Sequence, residues 1–175
     1  MTYGISMWLP YHGTGTVACD NAPYYGGGRT PMEPYAFWSN AAPSLGSGID
    51  VREDLDFDAF RGLVEPWRKL SENCTGDYYP LTPYTQDAAA WIAWQFDRPE
   101  AGQGAVQAFR RHECPASRLQ VRLRGLDPRA TYALTDLGNS AEKTLSGRDL
   151  VESGLTIECL DQPGAVNLLF RQVKR

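Results

Sequence analysis

The sequence has little of what most enzyme sites are built from. It contains two histidines, His12 and His112, and four cysteines, Cys19, Cys74, Cys114 and Cys159. The cysteines are far apart and form no C-x-x-C pair, which argues against a zinc site. The histidines fall in no metal-ligand spacing, so no metal and no cofactor is expected. The Gly13–Gly15 G-T-G is too short for a phosphate loop, and no G-K-[ST] follows it. There is no G-x-S-x-G nucleophile elbow. No apolar run approaches the ~20 residues of a membrane helix, and the N-terminus shows neither the basic region nor the cleavage pattern of a signal peptide. A formal net charge of -4 gives no general reason to expect a nucleic-acid or acidic-membrane partner. Free thiols in a reducing, cytoplasmic compartment fit the cysteine spacing, with two bridges in a secreted protein as the alternative.

What is present is a soluble globular composition, 42% hydrophobic and 22% charged over 175 residues, enough for one domain or two small ones. The chain reads as two unlike halves. Residues 1 to about 85 are rich in Gly, Pro and aromatics. Ile5–Leu9 is a short apolar run ended by Pro10 and reads as a buried strand. A long loop follows, from Tyr11 to about Ser47, whose rings argue against simple disorder. Asp56–Ser71 reads as an amphipathic helix with Phe57, Phe60, Leu63, Val64, Trp67 and Leu70 on one face, and with Pro66 expected to kink it. From about residue 86 onward the pattern is all-β. Trp91–Phe96, Ala105–Arg110, Leu119–Arg124, Thr131–Asp136, Leu155–Leu160 and Val166–Arg171 are strand candidates separated by turn signals, with one helical turn in Ser146–Ser153. This predicts a small antiparallel sandwich. Trp91 and Trp94 are three apart and should face opposite sides of their strand.

Most acids sit at caps, turns or exposed faces, so no catalytic carboxylate pair stands out. Asp50 is the best exception, closing the strand-like LGSGID. The loop and strand-end rings, Trp8, Tyr11, Tyr24, Tyr25, Tyr35 and Trp38, offer flat faces that suit sugar C–H bonds. His12 lies in a Gly-flanked turn that can reach a pocket or simply face solvent. If a substrate pocket exists, its candidate lining is Trp8, Tyr11, His12, Trp38 and Asp50, and no catalytic residue is assigned.

Four segments, TYGISMWLPYHGTG, EPYAFWSNAAPSLGSGIDVR, GDYYPLTPYTQDAAAWIAWQFDRPEAGQGAVQAFRR and LRGLDPRATYALTDL with LSGRDLVESGL, together resemble the C-terminal part of glycoside hydrolase family 36, the α-galactosidase (melibiase) family. The resemblance implies an α+β fragment: the last strands and helix of a (β/α)8 barrel in residues 1–85, followed by a small antiparallel β-sandwich domain in residues 86–175. Ile5–Leu9 and Ser44–Val51 would be the seventh and eighth barrel strands, with pocket loops after them. Family members are retaining glycosidases that use two aspartates in K-W-D and W-x-S-D motifs. Neither motif occurs here, and the chain begins just after the second. A retaining mechanism needs both carboxylates about 5–5.5 Å apart, so the chain alone is expected to be inactive. The implied ligand is an α-galactoside carbohydrate, and the implied partner is the missing barrel portion or a homo-oligomer. The alternative is a non-catalytic carbohydrate-binding or oligomerisation module. Where the family reads P-Y-x-F-R-S, this chain has Pro34 to Ser39 with Trp38 in place of the arginine.

Overall fold

The computed structural model describes residues 4–5, 7–9, 13–16, 34–41, 44–47 and 57–173. The chain divides into two compact units, Met1–Ser71 and Glu72–Arg175. The sequence reading put this division near residue 85. Asp77–Pro80 belongs with the second unit because it pairs with Trp94–Asp97.

In the first unit, Gly13–Thr16 (β1) and Ser44–Ser47 (β2) are parallel, with Gly13 opposite Ser44 and Thr16 opposite Ser47. Between them comes Pro34–Asn40 (α1), and after them Phe57–Ser71 (α2). Proline at the first position of α1 costs no hydrogen bond, because that N–H has no partner in a helix. Phe37 of α1 meets Phe60 of α2 edge to face, with centroids 6.3 Å apart. The expected helix is present and runs through Pro66 for fifteen residues. Its Asp58–Arg61 pair, at 2.7 Å, is exposed and contributes little.

The expected strand Ile5–Leu9 is not one. Gly4 and Ile5 are helical and Met7–Trp8 is a turn. The Trp8 and Leu9 N–H groups both donate to the Ile5 carbonyl, at 2.9 and 2.8 Å. Those local bonds use the donors that a ladder would need. A five-residue apolar run has too little periodicity to separate the two outcomes. The strand of this region is β1, beginning four residues after Leu9.

The second unit is antiparallel. Asp77–Pro80 (β3), Trp91–Arg98 (β4), Gln103–Arg110 (β5), Thr131–Asp136 (β7), Glu142–Ser146 (β8) and Gly164–Gln172 (β10) form one sheet in the order β3-β4-β5-β10-β7-β8. Arg118–Val121 (β6) and Leu155–Glu158 (β9) form a separate pair. The core lies between these two layers. Ala93, Val106, Ala108, Leu134, Leu168 and Phe170 from the large sheet share it with Val121, Leu155 and Ile157 from the pair. Each of the six strand candidates is present. The two missed strands, β3 and β8, are edge strands. β8 reads EKTLS, with its first three residues exposed, so it has too little buried area to leave an apolar signature.

Register explains the composition. Phe170 stands opposite Gly104, and a Cβ on Gly104 would lie 2.2 Å from the Phe170 ring. A glycine is therefore required at that rung. Ser146–Ser153 contains the expected helical turn, with Asp149–Ser153 in a widened single turn. The Ser146 hydroxyl accepts from the Asp149 N–H at 3.0 Å.

Candidate functional site

The five candidate pocket residues divide sharply. Tyr11, His12 and Asp50 lie outside the described residues. Trp8 sits in the turn after Ile5 and is 91% exposed. Trp38 is 7% exposed on α1, its ring edge-on to Phe37 with centroids 5.4 Å apart. Trp38 was read from the sequence as a loop ring. The structure places it in a helix and in the packing of the first unit. An exposed indole keeps a face for a ligand; a buried one contributes mainly area and shape.

The signature segment from Gly76 to Arg111 has a structural job that can be followed atom by atom. Trp91 and Trp94 face opposite sides of β4, as their spacing predicts. Trp91 joins the core, and its indole N–H donates to the Ala116 carbonyl at 2.8 Å. Trp94, on the other face, donates to Gln107 Oε1 at 3.0 Å. Gln107 in turn donates to Asn167 Oδ1 at 3.1 Å. These three are direct cross-strand neighbours on β4, β5 and β10, so buried polar groups satisfy one another along a rung.

On the core face, Gln95 is fully buried. It acts as a surrogate strand: its amide donates to the Arg124 carbonyl at 2.7 Å, and its oxygen accepts from the Arg124 N–H at 2.9 Å. Arg110 is also buried. Its guanidinium donates to the carbonyls of Cys114, Cys159, Leu160 and Pro115 and to the Gln162 side chain. Arg111 holds the preceding loop through the Thr85 and Asp87 carbonyls, at 3.3 and 2.6 Å. The arginine pair is thus a loop clamp and not an anion track.

Among the described residues, two cavities open on the second unit. One, about 1030 Å³, is lined by Pro99, Glu100, Asp127, Arg129, Thr131 and Gln172 among others. The other, about 590 Å³, has an apolar floor that includes Leu134, Ile157 and Leu168, with Arg118 and Glu158 at its rim, paired at 3.1 Å. Neither has an aromatic ring in its lining, so neither offers a stacking face for a sugar. His112 is exposed and 3.6 Å from Glu113. Among the described residues no group of three or more His, Cys, Asp or Glu side chains is placed to hold a metal ion, and no helix is long and apolar enough to cross a membrane. Cys74, Cys114 and Cys159 are buried; Cys19 lies outside the described residues.

One acid stands apart. Asp97 is buried on the same face as Gln95, and its carboxyl is pushed up to about 6 by burial first, then by the charges of Asp77 and Glu100. Sequence reading did not separate it from the acids of caps, turns and exposed faces. The signal was there: an Asp spaced by twos from Trp91, Ala93 and Gln95 lies on a core face.

Residues 91–166 match the family model described as the glycosyl hydrolase family 36 C-terminal domain. Within the second unit, the part that resembles this family 36 C-terminal domain starts at Trp91 on β4 and ends at Val166 near the start of β10, so the match leaves out edge strand β3 and most of β10. No curated protein matches the sequence. Among solved structures, the galactosidase domain of the alpha-galactosidase-sucrose kinase AgaSK is similar over 98% of this chain and 24% of its own, with TM-score 0.75 and 22% identity. A variant of the family 36 alpha-galactosidase AgaA from Geobacillus stearothermophilus, solved in complex with raffinose, is similar over 98% of this chain and 23% of its own, with TM-score 0.72 and 19% identity. The alpha-galactosidase from Lactobacillus brevis is similar over 99% and 24%, with TM-score 0.76 and 14% identity. At these identities the likeness is one of fold. The chain spans about a quarter of the length of these structures, and resembles the C-terminal part of family 36 α-galactosidases.

Proposed function

We propose that this chain is the C-terminal part of an α-galactosidase-like retaining glycoside hydrolase, which hydrolyses terminal α-galactosides such as melibiose or raffinose when complete and is inactive alone. The observation that carries the reading is the pairing of coverages: nearly all of this chain corresponds to about a quarter of each similar α-galactosidase. In this reading β1, β2, α1 and α2 are the end of a (β/α)8 barrel, and the second unit, Glu72–Arg175, is the β-sandwich domain. The parallel pairing of β1 and β2 supports it, because parallel strands belong to sheets covered on both faces. The exposure of Ile5, Trp8 and Leu9 also supports it, since an apolar cluster of this kind needs a neighbour. The rest of the barrel, as a preceding polypeptide, is that neighbour. It supplies both catalytic aspartates, while this chain contributes to the pocket with Trp8, Tyr11, His12 and Asp50 and, from the packed helix α1, Trp38. The compartment is the cytoplasm.

The test is reconstitution. The chain alone should leave p-nitrophenyl α-galactoside intact, and mixing or co-expressing it with a polypeptide that ends in a W-x-S-D motif should restore hydrolysis. Turnover by the purified chain alone would overturn the reading. So would a partner barrel that is fully active without it. The exposed Trp8 keeps a second reading alive, a non-catalytic carbohydrate-binding or self-associating module. Saturable quenching of Trp fluorescence by millimolar galactose or raffinose with the chain alone would favour binding. A concentration-dependent mass in sedimentation would favour self-association.

A further inference from the structure

The first rung of edge strand β3 sets two like charges face to face. Asp77 stands directly opposite Asp97, and directly opposed residues of an antiparallel pair project to the same side. Asp97 is 3% exposed, and no described residue donates a hydrogen bond to its carboxylate. The loop after β6 closes over it: a Cβ on Gly125, where φ is +76°, would lie 2.5 Å from Asp97 Oδ2 and 3.3 Å from the Tyr79 hydroxyl.

The charged and titratable groups around this carboxylate give it no counter-ion. On β3 are Asp77 and the Tyr79 phenol, whose hydroxyl is 3.5 Å from Asp77 Oδ2. In the turn after β4, Glu100 adds a second negative charge and is itself taken by Arg98 at 2.8 Å. On β5, the residue opposite is Gly104. In the loop after β6, the exposed Arg124 exerts its pull on Tyr79. On β7, Tyr132 feels the charges of both Asp97 and Asp127, and its hydroxyl accepts from the Asp127 N–H at 3.0 Å. A buried carboxylate among like charges and without donors favours its neutral form.

We infer that the Asp77–Asp97 rung is a proton-operated latch on β3, closed when Asp97 carries a proton and loosened when it ionises. A proton on Asp97 removes the repulsion across the rung and the cost of a buried charge. With the proton gone, both return at the point where the edge strand joins the sheet. The sign follows from the carboxyl lying at about 6 in the folded chain against an ordinary 3.8. The folded state holds the extra proton between those values, so the stabilisation is full below the ordinary value and falls as pH rises through about 6. The latch is independent of any catalytic role of the complete protein.

The experiment compares wild type, D97N and D77N across pH 4.5 to 7.5. Asparagine is close in shape to the protonated acid, so the melting temperature of D97N should match wild type at the acid end and exceed it by several degrees at pH 7.5. A difference that stays constant across the range would overturn the latch. Carbon-13 carboxyl titration of the wild type needs no variant to fold: the Asp97 midpoint should lie near 6 and move down in D77N. A midpoint in the ordinary carboxylate range would overturn the proposal. Hydrogen exchange, corrected for intrinsic rates, should show the Tyr79 amide, which faces β4 in this register, losing protection from pH 5 to 7.5 while β5 and β10 keep theirs. Equal loss across all strands would mean global destabilisation and no latch.

Discussion

Replacing Arg110 should destabilise the second unit more than replacing any other of its arginines. The side chain is 7% exposed and lies at the end of β5. Its Nε donates to the Cys114 carbonyl at 3.1 Å, one terminal nitrogen to the Cys159 and Leu160 carbonyls at 3.1 and 3.0 Å, and the other to Gln162 Oε1 at 3.0 Å and, more weakly, to the Pro115 carbonyl at 3.4 Å. No carboxylate is among them, so the clamp works through neutral acceptors. Arg110→Ala leaves several carbonyls without a donor, each costing about 1–3 kcal/mol while it stays dry. Water entering the gap returns part of that, and the buried charge no longer has to be desolvated. The net expectation is a loss of ~3–5 kcal/mol. At roughly 4–8 °C per kcal/mol for a domain of this size, that is a fall in Tm of more than about 12 °C. Arg110→Lys keeps the charge but not the planar fork, and should lose about half as much. Arg110→Met keeps the apolar stem alone. Urea unfolding followed by Trp fluorescence reads all three. If Arg110→Met were as stable as wild type, the stem and not the fork would be doing the holding, and the reasoning would be refuted.

Three further outcomes are expected. Gln95→Leu removes both bonds to the Arg124 backbone and should cost ~2–3 kcal/mol by chemical denaturation, because the freed N–H and C=O remain under the sheet; a loss under about 0.5 kcal/mol would show that water or Arg124 itself compensates. Gly104→Ala drives a methyl group into both the Phe170 ring and the Phe96 carbonyl and should lower Tm strongly, with Phe170→Leu rescuing only the ring's share in a double-mutant cycle; simple additivity would refute the ring contact. Burial pushes the Cys74 thiol up to about 12, so Cys74 should resist thiol reagents at pH 8 in the folded chain and react once urea unfolds it, as read by intact mass and peptide mapping.

Much of the second unit was legible in the sequence because β4, β5 and β10 are long and dense in apolar residues. Period-two reading located them and set Trp91 and Trp94 on opposite faces. The same reading missed β3 and β8, short edge strands with no fully buried residue to carry the pattern. It mistook Ile5–Leu9 for a strand, because local bonds to the Ile5 carbonyl won over a ladder in a run too short to decide. For the candidate pocket, the ring types were visible but their exposure was not. Trp8 and Trp38 look alike as residues, and differ because one ends in a turn while the other packs on Phe37. Trp38→Ala therefore removes packing from the first unit as well as any sugar contact, so its effect on binding has to be measured beside its effect on stability.

By itself the sequence determined the class of this protein: the two unlike halves, the strands of the second, the likeness to the end of family 36, and the absence of the K-W-D and W-x-S-D motifs. These are properties of composition, local periodicity and motif, which need no third dimension. The tertiary structure decided which polar residues are buried and what they face. Arg110 could have been a phosphate contact and is a carbonyl clamp; Gln95 could have been surface and replaces a strand; Asp97 could have been a turn acid and is a buried carboxyl opposite its like. Each depends on residues 20 to 52 positions away in the chain, and register, not sequence spacing, brings those together.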